Sequence, residues 1–193
     1  MYPKLSTFLN FDQNWLYLWN NFANSSVFWG GLLKFFGQYL IYILPIFLII
    51  FWFYGAKTKK AGLTAFFSAG LAFAFANIIG RLINRPRPFE LGTVHELFFH
   101  RPTYSFPSDH AAVLFAVAFA LYFVGFRKLF WLMLILAIII SFARIATGVH
   151  FPSDVFSGAI LGFLAAWVIW LLERPLDYIY NFLILIARKL RLA

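Results

Sequence analysis

Apolar runs closed by charge set the plan of the chain. The first covers Phe35–Tyr54 and ends on Lys57, Lys59 and Lys60. The second runs from about Ala61 to Ile83. Residues 84–107 then turn polar, with Arg, Pro, His, Glu and Thr concentrated in the one long loop. A third run, about Ser108–Phe126, meets Arg127 and Lys128, and a fourth covers Leu129–Ala146. After a break at Thr147–Pro152, a fifth covers about Ser153–Leu172. A helical membrane span needs about 20 apolar residues, so each run predicts one.

The two ends read differently. Trp15, Tyr17, Leu18 and Trp19 alternate with polar groups, the pattern of a helix lying in the membrane interface. Asn10, Asp12, Gln13 and Asn14 interrupt the apolar stretch that a cleavable signal requires. Near the other end, Ile179, Phe182, Leu183 and Ile186 stand beside Arg188, Lys189 and Arg191, which favours an amphipathic surface helix over a sixth span. The expected fold is all-α: a polytopic transmembrane helical bundle of five to six spans with an interfacial N-terminal helix. It forms one domain, with an interfacial segment 1–35, a helical core 36–172 and a tail 173–193.

Composition strengthens this picture. Of 193 residues, 63% are hydrophobic and 12% charged, too little polarity to cover a water-soluble domain of this length. The absence of cysteine excludes disulfides, thiolate metal sites and cysteine nucleophiles. A net charge of +9 would suit nucleic acid, but the bases sit at the ends of apolar runs and form no stripe along a duplex-sized face. Membrane lipids are the expected partners. Nine of the sixteen bases (Lys57, Lys59, Lys60, Arg127, Lys128, Arg174, Arg188, Lys189 and Arg191) fall on one side of a five-span bundle. By the positive-inside rule that side is cytoplasmic, and the long loop faces outward with Lys4, Lys34, Arg81, Arg85, Arg87, Arg101 and Arg144.

Three polar clusters fall on that outer side. Arg81, Arg85 and Arg87 end the second span, with Pro86 and Pro88 stopping the helix. Asn77, Arg81 and Asn84 share a helical face that is expected to turn toward the bundle or water. The second cluster, Tyr104–His110, opens the third span. There Pro107 is the expected first helical residue, and Ser108 and His110 extend the anion-binding helix start. Asp109 is expected to point away, because it would repel an anion. In the third cluster, six helical residues would turn His150 about 120° away from Arg144, and Gly148 offers a break that brings them together. Asp154, in the first turn after Pro152, is placed to reach back to His150 and fix its tautomer. Two histidines, several arginines, a serine and an aspartate on one side form an inventory suited to phosphoryl transfer. Guanidinium groups hold the oxygens, a nucleophile attacks in line and an acid protonates the leaving oxygen.

At these residues the sequence resembles the type 2 phosphatidic-acid phosphatase superfamily. Its three-part pattern is matched by Arg87-Pro88, by Pro107-Ser108-x-His110, and by Arg144, His150 and Asp154, across about residues 62–170. The resemblance implies catalytic roles for His150 (nucleophile), Asp154 (orienting group) and His110 (acid). It implies phosphate binding by Arg87, Ser108 and Arg144, with no metal and no cofactor. The family lysine falls on Gly80, and Arg81 is the expected substitute. Ala143 and Asp109 replace a family serine and glycine. The Phe-Pro-Ser-Asp-His form resembles the bacterial bacitracin-resistance branch. That implies an undecaprenyl diphosphate substrate, a role in recycling the cell-wall carrier lipid and a plasma-membrane site on the extracytoplasmic face.

The alternatives are a phosphatase for phosphatidic acid or phosphatidylglycerol phosphate and, in another class, a non-catalytic lipid-phosphate sensor. His95-Glu96-x3-His100 resembles a zinc motif, but its histidines are five apart where a helical zinc pair is spaced by four. A channel or transporter would place its charges near the bilayer midplane, whereas these lie at span ends. Gly158 and Gly162 permit a close helix approach, expected within the monomer. Neither oligomeric state nor lipid chain preference follows from the residues.

Overall fold

A computed structural model describes residues 3–92 and 94–192, with side chains from residue 10 onward. Met1, Tyr2, Thr93, Ala193 and the Lys4 side chain, which the segments and charges above include, lie outside the described residues. The chain forms α1 (Pro3–Asn24), α2 (Val27–Gln38), a 3₁₀ turn (Leu40–Tyr42), α3 (Ile43–Phe53) and α4 (Ala56–Ile83). A second 3₁₀ turn (Pro88–Leu91) follows, then α5 (Asp109–Phe123), α6 (Arg127–Ala146), α7 (Pro152–Leu171) and α8 (Glu173–Lys189).

Among the described residues, four segments are long and apolar enough to cross a membrane: Val27–Phe53, Ala56–Leu91, Arg127–Ala146 and Pro152–Leu171. The expected third span is shorter. α5 has 15 residues, about 22 Å of helix against a hydrocarbon core of about 30 Å. It is the central post of the bundle, packed by α4, α6 and α7, and Ala112, Leu114, Ala116, Val117 and Leu121 on different sides of it are all buried. The outer surface is the reverse: Ile49, Phe66, Trp131, Ile135, Phe156 and Ile160 are exposed. A surface this apolar faces lipid.

Two boundaries differ from expectation. The first span is not one helix: it breaks at Leu40–Tyr42, and α3 restarts ahead of Pro45, whose missing N–H cannot serve the Ile41 carbonyl. The second span begins at Ala56, so Lys57, Lys59 and Lys60 belong to the first turns of α4 and not to a loop.

Close approaches set the height of each helix. A Cβ at Gly158 would lie 2.5 Å from the Ser108 carbonyl oxygen, and one at Gly162 would lie 2.8 Å from the Ala116 nitrogen. α7 therefore rests on α5 within the monomer, and both N-terminal ends finish at the same level. α1 lies across that end. Asp12, Leu16, Asn20 and Ala23, at i, i+4, i+8 and i+11, are its buried stripe. Asn20 pins the long loop by donating to the His95 and Ala146 carbonyls at 2.8 and 3.0 Å.

Candidate active site

The C-terminal ends of α4 and α6 and the N-terminal ends of α5 and α7 meet beneath α1. α6 ends in a Schellman turn: the Val149 and Gly148 N–H groups donate to Arg144 and Ile145 carbonyls at 3.3 and 2.9 Å. Gly148 takes φ +80°, a left-handed conformation that a side chain resists, and a Cβ there would lie 2.9 Å from the His95 carbonyl. This reversal removes the rotation that a continuous helix would impose. His150 Nε2 comes to lie 3.5 Å from an Arg144 Nη and 3.1 Å from an Arg87 Nη.

The His150 tautomer is fixed by a different group from the one expected. Nδ1 donates to the Ser105 carbonyl at 2.9 Å, whereas Asp154 Oδ2 is 3.8 Å away. Nε2 keeps its lone pair and faces the guanidinium groups. Asp154 is a hub one step removed. It accepts from the Phe151 N–H at 2.8 Å, from Arg85 at 2.7 Å and from the Ser105 hydroxyl, so the carboxylate holds the loop segment that holds the imidazole. Arg85 also bonds Asp12 at 2.8 Å, and Asp12 accepts from the Ser153 N–H at 2.9 Å. Sequence reasoning missed Ser105, Arg85 in this role and Asp12. Arg85 was visible only as one of three neighbouring arginines, and Asp12 only as a polar interruption in an aromatic helix.

Arg87 and Arg144 are both buried, and neither has a carboxylate partner among the described residues. Arg87 donates to the Val149 carbonyl at 2.9 Å and to Thr103 at 3.1 Å. Arg144 donates to the Gly37 carbonyl at 3.1 Å and to His100 Nε2 at 2.9 Å, and its buried Nε has no partner. An unpaired buried cation is costly, and an anion beside it removes the cost.

His100, in the long loop, caps Arg144. Its Nδ1 lies 3.0 Å from the Arg101 carbonyl, which leaves Nε2 as the acceptor. Burial, then the Arg87 charge, lowers its pKa to about 4, in keeping with that neutral role.

Ser108 is fully buried and is the N-cap of α5, accepting from the Ala111 N–H at 3.4 Å. The expected start at Pro107 therefore moves two residues on. His110 stands in the first turn, its Nδ1 2.8 Å from Asp109 Oδ1. Asp109 thus orients the histidine and does not turn away. Together these two residues front a cavity of about 180 Å³ whose other walls are Ile41, Phe73 and Val113.

Arg81 is not brought to the site. The buried face of α4 runs through Ala61, Ala65, Ser68, Ala72, Ala76 and Gly80, and Arg81 lies about 100° around from it, exposed. The position of the family lysine is filled another way. The Tyr104 ring packs directly on Gly80, and its hydroxyl donates to Asn77. Gly80→Lys is therefore expected to lower both melting temperature and turnover, because the new side chain and the Tyr104 ring compete for one space. Gly80→Lys with Tyr104→Ala is expected to recover much of the loss. Thermal unfolding and phosphate release on both variants check this, and a fully stable single variant contradicts it.

The pH behaviour of His150 follows from its burial. Burial first, then the Arg87 and Arg144 charges, push its pKa down to about 3 against the pull of Asp154. A depressed pKa keeps the ring neutral to lower pH, so Nε2 is expected to remain unprotonated from pH 8 to about pH 5. A ¹⁵N titration of labelled histidines reads this directly; protonation of His150 near its ordinary value of about 6.5 contradicts it.

Comparison with known proteins points the same way as the geometry. Residues 61–177 match the family model described as the PAP2 superfamily. The chain is 35% identical over 154 residues to the bacitracin transport permease protein BcrC of Bacillus licheniformis, covering 77% of this chain and 74% of that one. It is 30% identical over 163 residues to the undecaprenyl-diphosphatase BcrC of Bacillus subtilis, covering 82% and 80%. The crystal structure of Aquifex aeolicus LpxE superposes with a TM-score of 0.60 at 29% identity, covering 80% of this chain and 91% of that one. With its apolar helices ending in a buried arginine–histidine cluster, the chain belongs to the PAP2 superfamily and is a membrane phosphatase.

Proposed function

We propose that the protein hydrolyses a polyprenyl diphosphate of the undecaprenyl type to its monophosphate through a phosphohistidine on His150, recycling a cell-wall carrier lipid. The observation that carries the chemistry is the pair of buried guanidinium groups, both without a carboxylate partner among the described residues and both beside His150 Nε2 at 3.1 and 3.5 Å. They form an anion site with a nucleophile built into it. The Bacillus subtilis relative, an undecaprenyl-diphosphatase, supports the substrate class.

In this reading Arg87, Arg144 and the Ser108 hydroxyl hold the terminal phosphate. His150 Nε2 attacks its phosphorus as the bond to the bridging oxygen breaks. His110, held by Asp109, protonates that oxygen, and the lipid monophosphate leaves. The cavity between His110, Ile41, Phe73 and Val113 gives the apolar side of the leaving group a place next to the acid. The neutral His110 then takes a proton from water, which attacks phosphorus, breaks the P–N bond and releases inorganic phosphate. Ser105 and Asp154 hold the His150 ring throughout. The charge bias of the loops supports an extracytoplasmic position for this end of the bundle.

Phosphate release from the purified protein, with chelator present, tests the reading on polyprenyl diphosphate, phosphatidic acid and phosphatidylglycerol phosphate. The diphosphate is expected to be turned over fastest by about a hundredfold in kcat/KM, because the reading requires recognition beyond one phosphate. Equal rates on all three defeat the substrate assignment, and strict metal dependence defeats the mechanism.

A further inference from the structure

The opposite end of the bundle holds a second polar site. The N-terminal turns of α4, the α5–α6 turn and the start of α8 enclose a cavity of about 400 Å³, lined by Lys57, Lys60, Thr64, Glu173, Asp177 and Tyr180 among others. Lys60 and Asp177 pair at 2.9 Å. Three groups remain unmatched among the described residues. Lys57 has no carboxylate and rests 5.5 Å over the Phe126 ring, and Glu173 has no cation. The Tyr180 hydroxyl is buried without a hydrogen-bond partner, on a side chain 1% exposed. The neighbouring Thr64 hydroxyl donates to the Lys60 carbonyl at 3.1 Å.

A buried phenol without a partner costs stability that a ligand acceptor would restore. The lining also selects among ligands. A simple anion would meet Glu173 and Asp177, and a simple cation would meet Lys57 and Lys60. A molecule carrying both signs satisfies Lys57, Glu173 and Tyr180 at once. Its surroundings are those of a lipid headgroup: Phe123, Val124 and Phe126 line the same cavity, and Tyr178, Ile179 and Phe182 of α8 are exposed beside it. The site is remote from the reaction, since α4 alone separates Lys60 from Gly80 by about 30 Å.

We propose that this cavity binds the headgroup of an amine-bearing phospholipid, of the phosphoethanolamine type. The phosphate sits against Lys57 and the Tyr180 hydroxyl, and the ammonium against Glu173. The site is independent of the substrate assigned above.

The test places the full chain in bilayer discs of equal phosphatidylethanolamine and phosphatidylglycerol and counts retained lipids by native mass spectrometry after mild extraction. The wild type is expected to retain phosphatidylethanolamine over phosphatidylglycerol by about tenfold, the worth of one charge-assisted hydrogen bond. Lys57→Gln and Glu173→Gln each abolish the preference, and Tyr180→Phe reduces it several-fold. Equal retention of both lipids by the wild type, or a preference unchanged in all three variants, overturns the proposal. Free phosphoethanolamine distinguishes the two sources of the same chemistry. Weak competition at millimolar concentration supports a lipid-borne headgroup, and tight binding of the free molecule with no lipid retained overturns the lipid assignment. Tyr180→Phe removes one oxygen and keeps the ring, so it carries the test if a charge variant fails to fold.

Discussion

His150→Ala is expected to lower kcat by about 100,000-fold while leaving phosphate binding within a few-fold of wild type. The rate effect is large because Nε2 of this ring is the only candidate nucleophile among the described residues that faces both Arg87 and Arg144. Binding survives because those two guanidinium groups are held by other partners: Arg87 by Val149 and Thr103, Arg144 by Gly37. The separation of the two effects matters. A non-catalytic lipid-phosphate sensor would bind equally well with either residue at position 150 and turn over with neither. Steady-state turnover and isothermal titration with inorganic phosphate distinguish the cases, and a variant that retains its rate ends the nucleophile assignment.

Arg144→Met is expected to reduce kcat/KM by about a thousandfold and to leave the melting temperature unchanged or higher. This pairing of effects is specific to the account. A buried arginine in a structural ion pair would destabilise the protein on removal, because its carboxylate would be left behind. Arg144 has no carboxylate partner among the described residues, and its Nε has no partner at all. Methionine fills much the same volume without the desolvation cost, at the loss of bonds to one carbonyl and one imidazole. In the proposed site, the free-energy cost of holding this cation without an anion is offset when phosphate binds. Activity and thermal unfolding on the same preparation check both halves; a marked loss of stability would make Arg144 a structural residue.

Much of this was legible in the residues. Long apolar runs and their charged ends located α6, α7 and the C-terminal end of α4 closely, because a lipid-facing helix is apolar over its spanning length. α5 was found by its cluster but read too long. Burial by protein leaves the same apolar signature as burial in lipid, so Val124 and Phe126, which belong to the following turn, looked like span. Convergence of Arg144 and His150 was foreseeable from Gly148, since a left-handed turn is what glycine supplies. Arg87 and Arg144 meet at His150, while Ser108 caps the neighbouring start of α5.

The misses have physical causes. Arg81 was placed by helical periodicity without knowing which face of α4 was buried, and the stripe of small residues ending at Gly80 decides that face. Tyr104 occupying the Gly80 position is a contact 24 residues distant in sequence, which no local pattern contains. The same holds for the Ser105 carbonyl on His150, because a backbone acceptor leaves no trace in residue identity. Asp12 and Gly37 reach the site from helices whose sequence patterns describe only their relation to the membrane.

In the proposed reaction, four helix ends build one anion pocket in which the imidazole at position 150 becomes phosphorylated. Its most direct test is a rapid quench of the purified protein with polyprenyl diphosphate labelled in the terminal phosphate, followed by peptide mapping at alkaline pH. An acid-labile, alkali-stable phosphoryl group is expected on the peptide containing His150, formed faster than turnover and missing from His150→Ala. A label on any other residue, or steady turnover with no protein-bound label at any time, contradicts it.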